Sequence, residues 1–152
     1  MAFIYLLLKY VHIFSAIVAV GSNITYGIWN ARSAADPAHL GFALKGIKFI
    51  DDRIANPAYG VLFITGLIMV FVGRFPLTSL WIIAAVVLFI AVAVIAFRVY
   101  TPLLSNQIRL VDAGNTTSPE YARLDRRGRM IGPILGILVA IILVMMVFRP
   151  TI

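Results

Sequence analysis

The sequence contains no cysteine. That excludes disulfides, thiolate metal sites and cysteine-linked cofactors. It has two histidines, His12 and His39. They are too few to build the three- or four-ligand shell that a transition metal wants from side chains alone. Charge is scarce as well: 12% of residues are charged, against roughly 25% in soluble domains. No nucleophile stands beside a base, no pair of carboxylates lies inside an apolar run, and no glycine pattern matches a phosphate loop. What fills the 152 residues instead is apolar side chain, at 62%. A water-soluble fold of this length cannot hide that much, so lipid must cover it.

The apolar segments number four. They fall at about 3–31, 57–73, 79–101 and 129–148. Each is close to or above the ~20 residues that cross a bilayer. The first is a span and not a cleaved signal, because no basic residue precedes it and it runs well past a signal's short core. Between the first two, Asp36-Pro37 opens a helix as cap and first position. Leu40, Ala43, Leu44, Ile47, Ile50 and Ile54 then recur at helical spacing, with Lys45, Lys48, Asp51 and Asp52 around them. This predicts a short amphipathic helix at the interface, with Asp51 and Asp52 in an interfacial charge cluster. Asn56-Pro57 repeats the cap logic and opens span two. Pro102 predicts a kink beyond span three, and Ser118-Pro119-Glu120 starts the last helix. The expected fold class is therefore all-α: one integral membrane four-helix bundle with a short amphipathic helix between spans one and two.

The net charge of +7 follows topology and does not indicate nucleic acid. Lys and Arg concentrate in the segments after spans one and three: Arg32, Lys45, Lys48 and Arg53, then Arg109, Arg123, Arg126, Arg127 and Arg129. The positive-inside rule places both segments in the cytoplasm and both termini outside. Gly128, Gly132, Gly136 and Ala140, four residues apart, give the last span a small-residue face suited to close helix packing, either within the chain or against another. Gly66 and Gly73 give span two a weaker version of it. That leaves the lipid bilayer as the expected partner, with a homo-oligomer or a larger membrane complex as further expectations.

The most informative pattern is on span one. Tyr5, Lys9, His12, Ala16, Ala19, Asn23, Tyr26 and Asn30 alternate spacings of four and three, which keeps them on one helix face. Polar groups in hydrocarbon are costly, so such a stripe faces the bundle interior and marks candidate functional residues. His12 either donates a hydrogen bond to a neighbouring helix, or ligates a haem iron, binds a metal ion or relays protons. Lys9, Asn23 and Tyr26 share its face. Arg98, near the end of span three, either snorkels or pairs with an anionic group such as a porphyrin propionate. His39 is a solvated loop residue.

Lys9-Tyr10-Val11-His12 resembles the Lys-x-x-His start of the HemJ-type protoporphyrinogen oxidases, and Asp52-Arg53 followed by Asn56-Pro57-Ala58 resembles the segment before their second span. The layout, down to Phe148-Arg149-Pro150, is similar to the bacterial membrane proteins grouped as domain of unknown function 2269 and, more distantly, to CopD-like membrane domains. The HemJ-type resemblance implies a haem b on His12. It also implies a lysine in span three, which has no counterpart near Ala85. That departure favours the family of unknown function, which brings no reaction with it. The resemblance implies a bacterial cytoplasmic (inner) membrane, crossed several times. The function expected is haem handling or electron transfer. The alternatives are a cofactor-free accessory subunit and a small-solute or ion pathway.

Overall fold

A computed structural model describes residues 2–150. Among the described residues six α-helices follow one another: α1 Ala2–Ala35, α2 Leu40–Ile50, α3 Asn56–Val72, α4 Leu80–Ile95, α5 Thr101–Asp112 and α6 Pro119–Phe148. They make four rods, because α2 joins α3 and α4 joins α5 without a break. The joints are single wide turns, Asp51–Ala55 and Ala96–Tyr100, in which the backbone N–H of Asn56 bonds to the carbonyl of Asp51 and that of Thr101 to that of Ala96. Each wide turn precedes a proline, Pro57 or Pro102. Proline has no N–H, and its ring collides with the carbonyl four residues back. Widening the helix by one residue relieves the collision and lets the rod continue. Asn56-Pro57 is thus a bulge inside a continuous rod, where the spacing predicts a fresh helix start.

All four rods are long and apolar enough to span a membrane: Phe3–Ala35, Pro37–Val72, Leu80–Asp112 and Pro119–Phe148. The protein is a multi-pass integral membrane bundle. The rods form a ring in which first packs on second, second on third through α2 and α5, third on fourth, and fourth on first. The backbones of α3 and α4 stay apart, and Tyr59 and Phe63 reach across to Phe89.

The first and third rods have 33 residues each. At about 1.5 Å per residue such a rod is about 50 Å long, against a hydrocarbon core of about 30 Å. The excess lies at one end, the one that carries both α1–α2 and α5–α6 turns and ten of the thirteen lysines and arginines. Here the amphipathic α2 turns Ala43, Leu44 and Ile47 into protein, and Leu44, Ile47 and Leu104 are the largest fully buried side chains of the molecule. The tightest core is therefore in the overhang. Water surrounds that end, and burial there is driven by the hydrophobic effect, which lipid does not supply between spans. Exposed ion pairs tie the outside: Lys45 to Asp112 at 2.7 Å, Lys48 to Asp52 at 2.5 Å, and Arg129 to Asp125.

Two caps differ in kind. Ser118 accepts a bond from the Tyr121 N–H at 3.1 Å, as its position predicts. Asp36 precedes its helical turn but caps no backbone group; its carboxylate meets His39 Nδ1 at 2.7 Å, both side chains being exposed. The glycine face of α6 is used in part. A Cβ on Gly128 would touch Leu103, whereas one on Gly132 or Gly136 would meet nothing within 4 Å.

Candidate functional site

The polar stripe of α1 faces the second rod, and partners there meet it station by station. At the upper station, His12 Nδ1 lies 3.0 Å from the carbonyl of Leu62 and 3.1 Å from Thr65 Oγ1. A carbonyl only accepts, so Nδ1 carries the hydrogen and donates. The Thr65 hydroxyl spends its own hydrogen on Val61, at 2.7 Å, which leaves its oxygen free to accept from the imidazole. The tautomer follows: Nε2 holds the lone pair. Among the described residues no buried side-chain nitrogen or oxygen lacks a partner. Nε2 has no protein partner, so it is not sealed inside the bundle.

Gly66 makes room for this ring. A Cβ built there would stand 3.0 Å from His12 Cε1. The spacing of Gly66 and Gly73 suggests a weak helix-packing face; Gly66 is instead a notch for an imidazole. No signal in one sequence distinguishes the two, because the notch depends on the register of α1 against α3.

Below His12 the seam is apolar. A cavity of about 30 Å³, lined by Ala16, Ala19, Val20, Tyr59, Leu62 and Phe89 among others, has no polar surface. Its volume suits one water, but a water needs two to four polar partners, so the cavity is dry.

At the middle station Asn23 donates to the Tyr59 hydroxyl at 2.6 Å. At the lower station Tyr26 donates to Asp51 Oδ1 and Thr101 to Asp51 Oδ2, both at 3.3 Å. Tyr26 also stacks on Tyr100, with ring centroids 6.3 Å apart. Asp51, expected in an interfacial charge cluster with Asp52, is 7% exposed, while Asp52 lies outside and pairs with Lys48. The two acids part because consecutive helical residues point about 100° apart.

The predicted site residues therefore divide. Lys9 is exposed and lies one turn from His12. Asn23 and Tyr26 lie about three and about four helical turns along α1 from it. Both are engaged across the seam. Arg98 is exposed in the second wide turn, two residues from the Tyr100 that stacks on Tyr26, so it stands at the lower station and not beside His12. Thr65, Gly66, Tyr59 and Thr101 complete the seam. Among the described residues no three His, Asp, Glu or Cys side chains gather as a metal site.

The family model described as predicted integral membrane protein (DUF2269) matches residues 6–150. The chain belongs to this family. The match covers all four rods and every station of the seam. No curated protein and no solved structure matches the chain.

Proposed function

We propose that the chain holds a haem b or a related porphyrin on His12 and serves in haem handling or electron transfer. The observation that carries this reading is the fixed tautomer. A ligating imidazole characteristically donates its second N–H to a carbonyl or carboxylate, which sets the ring's orientation and makes the other nitrogen a better ligand. His12 Nδ1 donates to Leu62 and leaves Nε2 open. One axial imidazole suffices for a five-coordinate haem.

The cavity below His12 does not fit a porphyrin, since it is water-sized. The ring would lie on the outer flank of the seam, where Lys9 is one turn away and replaces Arg98 as the cation for a propionate. A bound haem supplies one-electron chemistry; the chain supplies the nitrogen, its orientation and an apolar surface. The proposed setting is a bacterial inner membrane, with the basic end in the cytoplasm and both termini outside.

Absorption spectra of the detergent-purified protein, reduced minus oxidised, test the reading. A Soret band is expected in the wild type and lost in His12→Ala. A wild type that stays colourless after haem is added sinks it. The second reading, a cofactor-free subunit of a homo-oligomer or larger membrane complex, is favoured by the uncovered small-residue face at Gly132 and Gly136. Subunits that co-purify with a colourless protein would support it. The dry cavity gives no support to a solute or ion pathway.

A further inference from the structure

The lower station carries a carboxyl for which the haem reading has no use. Asp51 is 7% exposed, and among the described residues it forms no ion pair. Its oxygens meet hydroxyls: Tyr26 from α1 and Thr101 from α5. The ionisable groups around it are Lys48 and Asp52 on its own rod, Tyr59 on α3, and Tyr26 and Tyr100. Lys48, the one cation among them, is bound to Asp52.

A carboxylate taken out of water without a counter-ion is heavily penalised, and such a group neutralises instead. The cage suits both forms of the group. Hydroxyls donate and accept, so they can donate to a carboxylate or accept the O–H of a carboxylic acid; a guanidinium or a backbone N–H can only donate and offers the acid's O–H nothing. The position is also unusual. One wide turn begins at Asp51 itself, and the other ends at Tyr100, next to Thr101. Such turns occur often at functional sites.

We propose that Asp51 is a proton-binding site, with Tyr26 and Thr101 as its positioning residues, exchanging its proton with water at the basic end of the bundle. In the loaded form the proton sits on one carboxyl oxygen, and the hydroxyl facing that oxygen turns from donor to acceptor. On release, both hydroxyls donate to the carboxylate. One O–H bond breaks and the proton leaves past Asp52 and Lys48, which stand on the water side. The inference is independent of haem at His12, since the two stations lie at opposite ends of the seam.

Infrared spectroscopy of the purified full-length protein in water and heavy water, titrated from acid to alkaline pH, tests it. Four of the other five acids are exposed and Asp125 is half-buried. A protonated-carboxyl C=O band that persists well above the pH at which exposed carboxyls ionise therefore reports Asp51. The band is expected in the wild type, shifted in heavy water and lost in Asp51→Asn. Should that variant fail to fold, Tyr26→Phe decides. It keeps the ring stack on Tyr100, and it is expected to move the band without abolishing it. Absence of the band, a band unchanged in Asp51→Asn, or a band unmoved by Tyr26→Phe overturns the proposal. So does a band that appears only when sodium is withdrawn, which would make the site one for a metal cation.

Discussion

At Gly66 the absence of one carbon holds a ring in place. An added Cβ would stand 3.0 Å from His12 Cε1, so the ring that bonds to Leu62 at 3.0 Å must give by a few tenths of an ångström. Gly66→Ala is therefore expected to cost about 1–3 kcal/mol, as overpacking does. The loss should largely vanish in a His12→Ala background, because the two residues are coupled through one contact. Denaturation of the four proteins in detergent checks this; an equal loss in both backgrounds would mean that the notch is not shaped for the imidazole. The single residues also show where a sequence stops being informative. Spacing places Lys9, His12, Asn23 and Tyr26 on one face, because a helix's periodicity is local. Their partners Leu62, Thr65, Tyr59 and Asp51 are set by how two rods slide against each other. For the same reason charge alone groups Arg98 with His12, although Arg98 stands beside the Tyr26–Tyr100 stack. About four helical turns separate that station from the imidazole.

Among the elements, α2 was legible as an amphipathic helix, and its apolar residues recur at the spacing of a buried face. Its partner was not: a free amphipathic helix and one packed in a bundle have the same pattern, and only the overhanging α5 distinguishes them. Leu44 sits in that contact, fully buried. Leu44→Ala is expected to destabilise the protein by about 2–5 kcal/mol, the usual loss for a large core side chain. Ile90→Ala, on a side chain of α4 that is half exposed and faces lipid, should change stability far less. Thermal unfolding of both variants checks this, and equal losses would contradict a core centred on the overhang. The two wide turns lay beyond sequence reading. A proline inside a helical pattern signals a start, a kink or a bulge alike, and the choice at Pro57 and Pro102 falls to the tertiary contacts that keep each rod straight enough to continue.

For the molecule as a whole, the asymmetry of charge was legible at once, since counting needs no geometry. Its expected orientation can be measured directly, because a chain without cysteine is ready for single-site labelling. A cysteine at Thr116 should react with an impermeant maleimide after spheroplasts are broken, and one at Thr78 before. The reverse order would invert the topology. The hydrogen bonds have a distribution of their own. His12–Leu62, His12–Thr65, Asn23–Tyr59 and Tyr26–Asp51 join the first rod to the second, and Thr101–Asp51 joins the third to the second. Among the described residues no side-chain hydrogen bond joins the fourth rod to the first, and Arg109–Glu120 ties the third to the fourth only at the exposed end. The first two rods are thus indexed to each other like the teeth of a key, at three levels. The last rod is seated differently: Tyr121 and Leu124 pack with Leu103 and Leu110 at one end, and Arg149, just past the other end, lies over the rings of Phe75 and Trp81. One half of the molecule is keyed by polar pairs and the other is fitted by shape.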